Sequence, residues 1–440
     1  MFVRQARLWL ALLAEILLLA ALHRCDDWRY ASMPIKFVET AVLCGIAFFA
    51  AAASFTHVSL GRRTGVVFWV VAILLRLVAL PLEPSDDLWR YQWEGKVQNA
   101  GFNPYVVPPN DEQLLPLRAQ FANWSQINHR DYSAIYPPGT ELLFAALSRF
   151  ATGPLAYKLL FAAADLAAIA LLLRLIGGTT RFADAAWYAW NPLVVYSFAG
   201  AAHFDSLMIL PMLAGILFFA RGQATTEPPA QWRYAILGAV ALGLAISIKL
   251  IPLLLLPVCA FALGRRALAL GISLAIPALF SLPFGFPQVA IWKSLGRFIY
   301  VTRLNDIFWW IIEDTVWPNP HQKNYHYNVI IIIAVLVVSI FFFRNWKRGL
   351  LWVMGTALVL SPVLHPWYCT WILPFAAWRR VDGWQVLSVT VFAYYLFWDE
   401  RLFMLPWRSE PWLRSFILIP PIVAILLSVR RKAIPNESPA

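Results

Sequence analysis

Two adjacent carboxylates, Asp86 and Asp87, follow directly on an apolar stretch in the segment EPSDDLWRYQWEGKVQNAGFNPY, which starts at residue 83. A carboxylate buried without a partner at the edge of a bilayer is costly, so these residues need a partner or a chemical task. In a helix over residues 85–98, spacings of three and four residues put four polar side chains on one face: Asp87, Arg90, Tyr91 and Glu94. The pattern fits an interfacial helix with an internal Asp–Arg pair. It fits equally a general base that a neighbouring Arg holds at the water–lipid boundary.

A segment with rigid backbone and many aromatic side chains follows this helix. The runs GFNPYVVPPND and YSAIYPPGTELL are rich in Gly and Pro, which prevent regular structure. Such backbone beside a membrane suits a shaped substrate cleft, and it also suits an ordinary structured loop. In the first case, the candidate binding residues are Asn103, Tyr105 and Tyr136.

Three further clusters place polar groups among apolar residues. NPLVVYSFAGAAHFDSLMILP carries His203 and Asp205, which could be a metal pair, a phosphate contact or a structural bond. AISIKLIPLLLLP embeds Lys249, which either snorkels to the interface or neutralises an anion. LSPVLHPWYCTWILPF carries His365, Trp367 and Tyr368 between prolines. An aromatic belt explains the Trp and Tyr of that run but not its His.

The amino-acid composition indicates which kind of structure must position these groups. Of the 440 residues, 60% are hydrophobic and 14% are charged, which is far from the balance of a water-soluble domain. The sequence therefore predicts an all-α polytopic integral membrane protein with about 12–14 transmembrane helices, each needing about 20 apolar residues. The net charge of +12 resides in short clusters between apolar runs, which is a topology signal, so no nucleic-acid partner is expected.

Basic clusters such as Arg4/Arg7 and Arg265/Arg266 recur along the chain. If all of them are cytoplasmic and the short run GTELLFAALSRFA lies along the interface, the chain crosses the membrane in consistently alternating directions. This orientation predicts one transmembrane domain over residues 1–432, with an uncleaved first span. It also predicts a large periplasmic loop with juxtamembrane helices at 83–155, a second periplasmic loop at 285–326 and a disordered cytoplasmic tail at 433–440. In the second loop Lys293, Arg297 and Arg303 break the charge rule, so they are candidates for binding an anion.

Together, DDLWRYQWEGKVQNAGFNPY, the YPPG turn, NPLVVYSFAGAAHFD, IKLIPLLLLP and SPVLHPWY resemble the bacterial polytopic glycosyltransferases of the GT-C fold. The strongest similarity is to the polyprenyl-phosphate-mannose-dependent mannosyltransferases of glycosyltransferase family 87, over about residues 60 to 380. The order and spacing of the motifs, and not any single one, carry this resemblance.

The resemblance implies a GT-C-like bundle, a lipid-linked sugar donor, inversion at the anomeric carbon and a catalytic Asp at the start of the first large outer loop. That Asp maps to Asp86 or Asp87. The resemblance implies a donor-phosphate contact at His365, and it matches His203 and Asp205 to the family's HxD element. The physical chemistry is compatible: one base takes the acceptor proton, and the phosphate leaving group needs positive neighbours more than a metal. The residues that could supply this charge are His365, Lys249, Arg297 and Arg303.

The expected enzyme is thus a polyprenyl-phosphate-sugar-dependent hexosyltransferase of the bacterial inner membrane, with mannose as the first expectation. Its acceptor is a lipid or glycan at the outer face, and no cofactor or metal is expected. A transporter or flippase of lipid-linked sugars is the alternative, although transporters tend to carry central ionisable residues and paired broken helices. A non-catalytic assembly factor would not need the acid pair.

Overall fold

A computed structural model describes residues 2–30, 32–57, 63–151, 153–178, 181–285, 289–321, 323–398 and 411–433 of the chain. Within these ranges the protein is helical and has no β-strand, apart from one isolated parallel bridge between Leu304 and Val363. The all-α prediction is therefore confirmed. Of the tail predicted at 433–440, residues 434–440 lie outside the described residues, as do residues 286–288 of the second predicted loop.

The N-terminal half contains α1 (Phe2–Ala21), α2 (Met33–His57), α3 (Thr64–Ala79), α4 (Asp86–Asn99), α5 (Leu115–Ala119), α6 (Pro138–Phe150), α7 (Pro154–Ile176), α8 (Phe182–Ala189), α9 (Pro192–Val195) and α10 (Ser206–Ala224). The C-terminal half contains α11 (Pro228–Ile248), α12 (Leu256–Leu263), α13 (Leu270–Ser281), α14 (Val289–Val301), α15 (Ile307–Thr315), α16 (Tyr325–Phe341), α17 (Trp346–Leu360), α18 (Leu373–Arg379), α19 (Asp382–Thr390) and α20 (Pro411–Ala433).

Shorter helices connect these elements. The 3₁₀ helices are Leu22–Arg24, Glu112–Leu114, Trp124–Gln126, Ile251–Leu255, Gly264–Ala269, Leu282–Phe284, Phe343–Asn345, Pro366–Trp371 and Val391–Leu396, and Tyr196–Gly200 is one turn of π-helix. Proline opens several helices, for example at Pro154 and Pro228, where its fixed φ suits the first turn and its missing N–H costs nothing.

In the described residues, six helical segments are long and apolar enough to cross a membrane, or up to seven if the pair α16 and α17, bent by 75°, counts as one span. This number is smaller than the 12–14 spans expected. Several apolar runs form short helices, so a run of hydrophobic residues does not translate into one continuous span. Helix α3 (Thr64–Ala79) is an example, because it is apolar but has only 16 residues.

Helix α4 packs closely against α6, and α6 in turn packs against α11. A Cβ at Gly95 of α4 would lie 2.2 Å from the carbonyl oxygen of Phe144, and one at Gly139 of α6 would lie 2.6 Å from that of Ser247. Thr140 Oγ1 donates to the carbonyl of Ile248 at 2.6 Å. Helix α6 thus connects α4 to the end of α11, which Lys249 follows.

Candidate active site

Asp87 lies in the first turn of α4, at the positive end of the helix dipole. The helix starts after Ser85, as the sequence predicts, although the Ser85 side chain makes no capping bond. Asn128 Nδ2 donates to Asp87 Oδ1 at 2.8 Å, and the Tyr91 hydroxyl lies 3.5 Å from Oδ2. Burial and the neighbouring charge of Asp86 raise the pKa of Asp87 to about 6, although the bond from Asn128 opposes the shift. The side chain remains 21% exposed, so a reactant can reach it.

Asp86 precedes it in the same helical turn and lines a cavity of about 860 Å³. Its charge helps to keep the pKa of Asp87 high, as expected for two neighbouring carboxylates. The two acids thus have different surroundings: Asp86 faces the cavity, and Asp87 is held by Asn128. The sequence left the choice between the two acids open, and the structure places both in the first turn of α4.

His203 approaches Asp87 on an irregular piece of backbone. The π-helical turn Tyr196–Gly200 leads into Ala202, whose φ of 62° is rare for a residue with a Cβ, and His203 N donates to the carbonyl of Ser197 at 2.8 Å. As a result, His203 Nδ1 lies 3.6 Å from Asp87 Oδ2. Burial, with the charge of Lys249, lowers the pKa of His203 well below its usual value, so the imidazole is neutral at neutral pH.

The indole of Trp367 stacks between two histidines. Its ring centroid lies 3.8 Å from that of His203 and 4.3 Å from that of His365. Burial lowers the pKa of His365 to about 3, so this imidazole is also neutral. His365 can therefore offer a phosphate a hydrogen bond but no charge. Tyr394 lies on its other side, with the hydroxyl 3.4 Å from His365 Nδ1.

A parallel bridge fixes the turn that carries His365. Leu304 N donates to the carbonyl of Pro362 at 2.9 Å, and Leu364 N donates to the carbonyl of Leu304 at 2.8 Å. Asn305 Nδ2 adds a bond of 3.1 Å to the carbonyl of Leu364. The segment after α14 thus holds the HPWY turn in place.

Lys249 lies among aromatic rings and does not snorkel to the interface, in contrast to the simpler of the two interpretations. Its Nζ is 2.6 Å from Asp205 Oδ1, which also accepts the indole N–H of Trp371 at 2.6 Å. The ammonium lies over the rings of Phe204, Tyr368 and Trp371, at 4.8 to 5.3 Å from their centroids. Its charge lowers the pKa of Asp87, so the cation and the carboxylate belong to one site.

The HxD element therefore divides between two partners. His203 lies against Asp87, and Asp205 binds Lys249. In the part of the chain that the structure describes, no group of three or more His, Cys, Asp or Glu side chains could hold a metal ion.

Arg90 does not form the expected pair with Asp87. Its Nε donates to Glu94 Oε1 at 2.6 Å, and its other nitrogens donate to the carbonyls of His129 and Tyr132 at 3.0 and 2.5 Å. The guanidinium reaches these groups because Glu94 lies one helical turn further along α4. Arg90 thus anchors the loop that carries Asn128 and helps to position this loop beside Asp87.

Glu94 is buried beside Glu141 of α6, which is also buried. Burial and the charge of Glu94 raise the pKa of Glu141 well above its usual value. Gln98 Nε2 donates to Glu141 Oε2 at 3.0 Å. This pair joins α4 to α6 and, unlike Asp87, it is fully enclosed.

The aromatic residues of the loop form a layer beneath the site. The ring of Tyr136 makes edge contacts with Tyr91 and Phe204. Tyr105 lies one layer further away, and its hydroxyl donates to the carbonyl of Tyr136 at 2.6 Å. Asn103 closes the turn by accepting the amide of Tyr105 at 3.0 Å. Asn103 and Tyr105 therefore support the aromatic layer beneath the site.

The two arginines of the second loop differ. Arg303 is held by Asp306 and by Glu313, whose Oε1 is 2.7 Å away, so its charge is already compensated. Arg297 is exposed and lies 4.5 Å above the ring of Tyr132. Of these two, Arg297 is the better candidate for an anion.

Sequence reasoning did not single out three residues that complete the site: Asn128, Tyr394 and Glu141. Asn128 lies in the polar run SQINHRDY, which marks a loop but gives no sign of its partner 41 residues earlier. Tyr394 lies in an aromatic stretch that reads as ordinary core. Glu141 follows the YPPG turn, where the first turn of a helix commonly carries an acid.

Fold and site together define a polytopic, all-helical membrane protein. Its site combines a carboxylate, two neutral imidazoles and a lysine that is surrounded by aromatic rings. The model of the family described as "Alpha-(1->6)-mannopyranosyltransferase, N-terminal domain" matches residues 11–265, which is more than half of the chain, and the protein belongs to this family. The resemblance to polytopic mannosyltransferases is thereby confirmed.

A relative from Mycolicibacterium smegmatis, named "Probable alpha-(1->6)-mannopyranosyltransferase", is 26% identical to this chain. The similarity covers 46% of this chain and 44% of the relative. The chain thus spans less than half the length of the curated relative that it matches.

Proposed function

We propose that the protein is a mannosyltransferase that moves a mannosyl group from a polyprenyl-phosphate donor to a hydroxyl of a lipid or glycan acceptor, with Asp87 as general base. Family membership supports the class of reaction. The observation that carries the base assignment is the setting of Asp87: a partly exposed carboxylate with a pKa of about 6, oriented by Asn128. A base with such a pKa is mostly ionised at pH 7 and still accepts a proton more readily than an ordinary Asp.

The reaction is a single displacement. The acceptor oxygen forms a bond to the anomeric carbon while the bond from that carbon to the phosphate oxygen breaks, and the acceptor proton passes to Asp87. A single base and an attack from the face opposite the leaving group invert the anomeric configuration. If the linkage is alpha, as the family's name suggests, the donor must carry a beta-linked mannose.

The leaving polyprenyl phosphate is an anion and needs compensation in the transition state. Lys249 is the cation of the site, because His203 and His365 are neutral. Its bond to Asp205 uses one of three donors, so two N–H groups remain to contact phosphate oxygens. The aromatic rings around the ammonium exclude water and strengthen this contact.

The same proposal assigns the reaction to the outer face of the bacterial inner membrane. The basic clusters then lie in the cytoplasm, and the loops 83–155 and 285–326 lie outside as parts of one domain over residues 1–432. The prenyl chain of the donor would lie between apolar helices and bring its phosphate to the membrane surface.

The test uses the full chain in lipid nanodiscs, with a radiolabelled polyprenyl-phosphate-mannose donor and an alpha-linked mannobiose acceptor. Asp87→Asn keeps the shape and the bond to Asn128 while it removes the base. We expect transfer to fall by a factor on the order of 10³, with donor binding retained. Asp131→Asn is the matched control, because Asp131 is an exposed carboxylate bonded to Asn110 in the same loop.

The anomeric configuration of the product, read by NMR, tests inversion. Unchanged transfer by Asp87→Asn would overturn the base assignment. Donor binding by the unmodified protein without transfer to any mannoside would favour a transporter of lipid-linked sugars.

A further inference from the structure

Helix α14 of the second loop has two contrasting faces. On the inner face, Ile291 and Ser294 are 4% and 8% exposed. On the outer face, Trp292 is 52% exposed and Ile299 is 41% exposed. The last two residues lie seven positions apart, so they fall on the same side of the helix. The outer face of α14 thus presents an apolar strip that the transfer reaction does not use.

Two basic residues accompany this apolar strip. Lys293 and Arg297 are exposed and lie four positions apart, which makes them neighbours on the outer face. The helix, VAIWKSLGRFIYV, contains no acidic residue, so these two side chains give it a charge of +2. Arg297 lies 4.5 Å above the ring of Tyr132, a contact that does not neutralise its charge. The outer face is therefore both apolar and positively charged.

Both ends of α14 lie next to apolar elements of the bundle. The segment Ile251–Phe284, which is long and apolar enough to cross a membrane, ends shortly before the helix begins. At the other end, Asn324 Nδ2 donates to the carbonyls of Ile299 and Thr302 at 3.2 and 2.7 Å, and the apolar helix α16 follows directly from Tyr325. A short amphipathic helix held between the ends of two such elements lies near the membrane surface.

The inner face of α14 rests on the loop that orients the candidate base. Ser294 Oγ and Ser133 Oγ share a hydrogen bond of 2.6 Å, and both side chains are buried. Asn128, which donates to Asp87 Oδ1 at 2.8 Å, lies in the same loop as Ser133. This loop thus contacts α14 on one side and the carboxylate on the other.

We propose that the outer face of α14 binds anionic phospholipids of the surrounding membrane. Lys293 and Arg297 contact the phosphates of the headgroups, and Trp292 lies between the headgroups and the acyl chains. The bound lipid keeps α14 seated on the loop that carries Asn128, so the lipid composition of the membrane acts on the position of this side chain. The donor phosphate is a different anion, which the proposed function assigns to Lys249.

Hydrogen exchange of the full chain, followed by mass spectrometry, tests this contact in two kinds of nanodisc. One kind contains phosphatidylcholine alone, and the other contains equal parts of phosphatidylcholine and phosphatidylglycerol. Phosphatidylglycerol should slow exchange in α14 at least about fivefold, which is the gain expected from one basic residue near an anionic surface. Exchange in residues 128–134 should slow in parallel. High salt should reduce both effects, because it screens exposed charges.

A matched pair of double variants tests the role of the two basic residues. Lys293→Gln/Arg297→Gln should abolish the difference between the two kinds of nanodisc. The control Arg233→Gln/Arg265→Gln also removes two exposed basic residues, but they lie outside α14, so the difference should remain.

A further variant tests the connection to the site. Ser294→Ala removes the bond to Ser133, so it should keep the lipid response of α14 and lose that of residues 128–134. Equal exchange of α14 in both kinds of nanodisc, or protection that persists in Lys293→Gln/Arg297→Gln, would overturn the lipid contact. A response of residues 128–134 that persists in Ser294→Ala would overturn the connection. None of these measurements requires sugar transfer, so they stand or fall separately from the proposed function.

Discussion

Two acids of this protein, Asp165 in the bundle and Asp87 at its end, have contrasting environments. Arg76 on α3 donates to Asp165 on α7 at 2.6 and 2.9 Å, and it also donates to the carbonyls of Ala72 and Ala189. Tyr188 completes the shell with a bond of 2.9 Å to the other oxygen of Asp165. Asp87 receives one short bond, from Asn128, and stays 21% exposed.

The contrast indicates what each acid does. A charge with a full set of partners and no exposure has no capacity left for a reactant, so the Arg76–Asp165 pair joins helices. A carboxylate with a raised pKa, one firm partner and access to solvent can still exchange a proton. The exposure of the side chain and the number of its satisfied bonds together separate these two roles.

The largest effect is expected inside the bundle. Arg76→Met leaves Asp165 buried without its cation and should lower the free energy of unfolding by about 3–5 kcal/mol. The double variant Arg76→Met/Asp165→Leu should recover most of this loss. Unfolding in a detergent titration measures both. A normally stable but inactive Arg76→Met protein would contradict the structural role.

The second expected effect concerns the lysine. Lys249→Met should reduce kcat/KM on the order of 10²-fold, because the leaving phosphate loses its cation. Asp205→Asn keeps the lysine and the contact to Trp371, so we expect activity within a few-fold of the unmodified protein. Lys323→Met is the control, because Lys323 is an exposed basic residue of the second loop that was not a candidate for binding an anion. Equal losses in Lys249→Met and Asp205→Asn would show that only the ion pair matters.

A smaller effect is expected at the Glu94–Glu141 contact. The pKa of Glu141 is higher in the folded protein than in the unfolded chain, so its stabilising contribution is complete below about pH 4.3 and declines as pH rises above that value. Glu141→Gln keeps the shape of the side chain and removes its titratable group. Its Tm should therefore change less between pH 5 and pH 8 than that of the unmodified protein. An equal decline in both proteins would exclude Glu141 as the titrating group.

Local features of the site were predictable from the sequence, but its contacts were not. The helix predicted over residues 85–98 is present as Asp86–Asn99, whereas nothing in the sequence predicted the π-helical turn before His203. The partners of Asp87 and Asp205, by contrast, lie 41 and 44 residues away along the chain. Such pairs depend on how loops and helix ends meet in three dimensions, which periodicity does not encode.

The Arg76–Asp165 pair shows a signal that sequence reasoning did not use. Arg76 stands in the apolar run AILLRLVAL and Asp165 in AAADLAAIA. Two opposite charges within apolar runs are expected to pair, since neither is stable alone in a membrane.

The most direct test of Asp87 as the base is the pH dependence of kcat/KM. Activity requires the ionised carboxylate, so it should fall as pH drops through about 6, the raised pKa of Asp87. Asp86→Asn removes a like charge and should move this acid limb to lower pH, whereas Asn128→Ala removes a bond to the ionised form and should move it to higher pH, each by up to about one unit. Opposite shifts are the predicted result. An acid limb that stays in place in both variants would contradict the account.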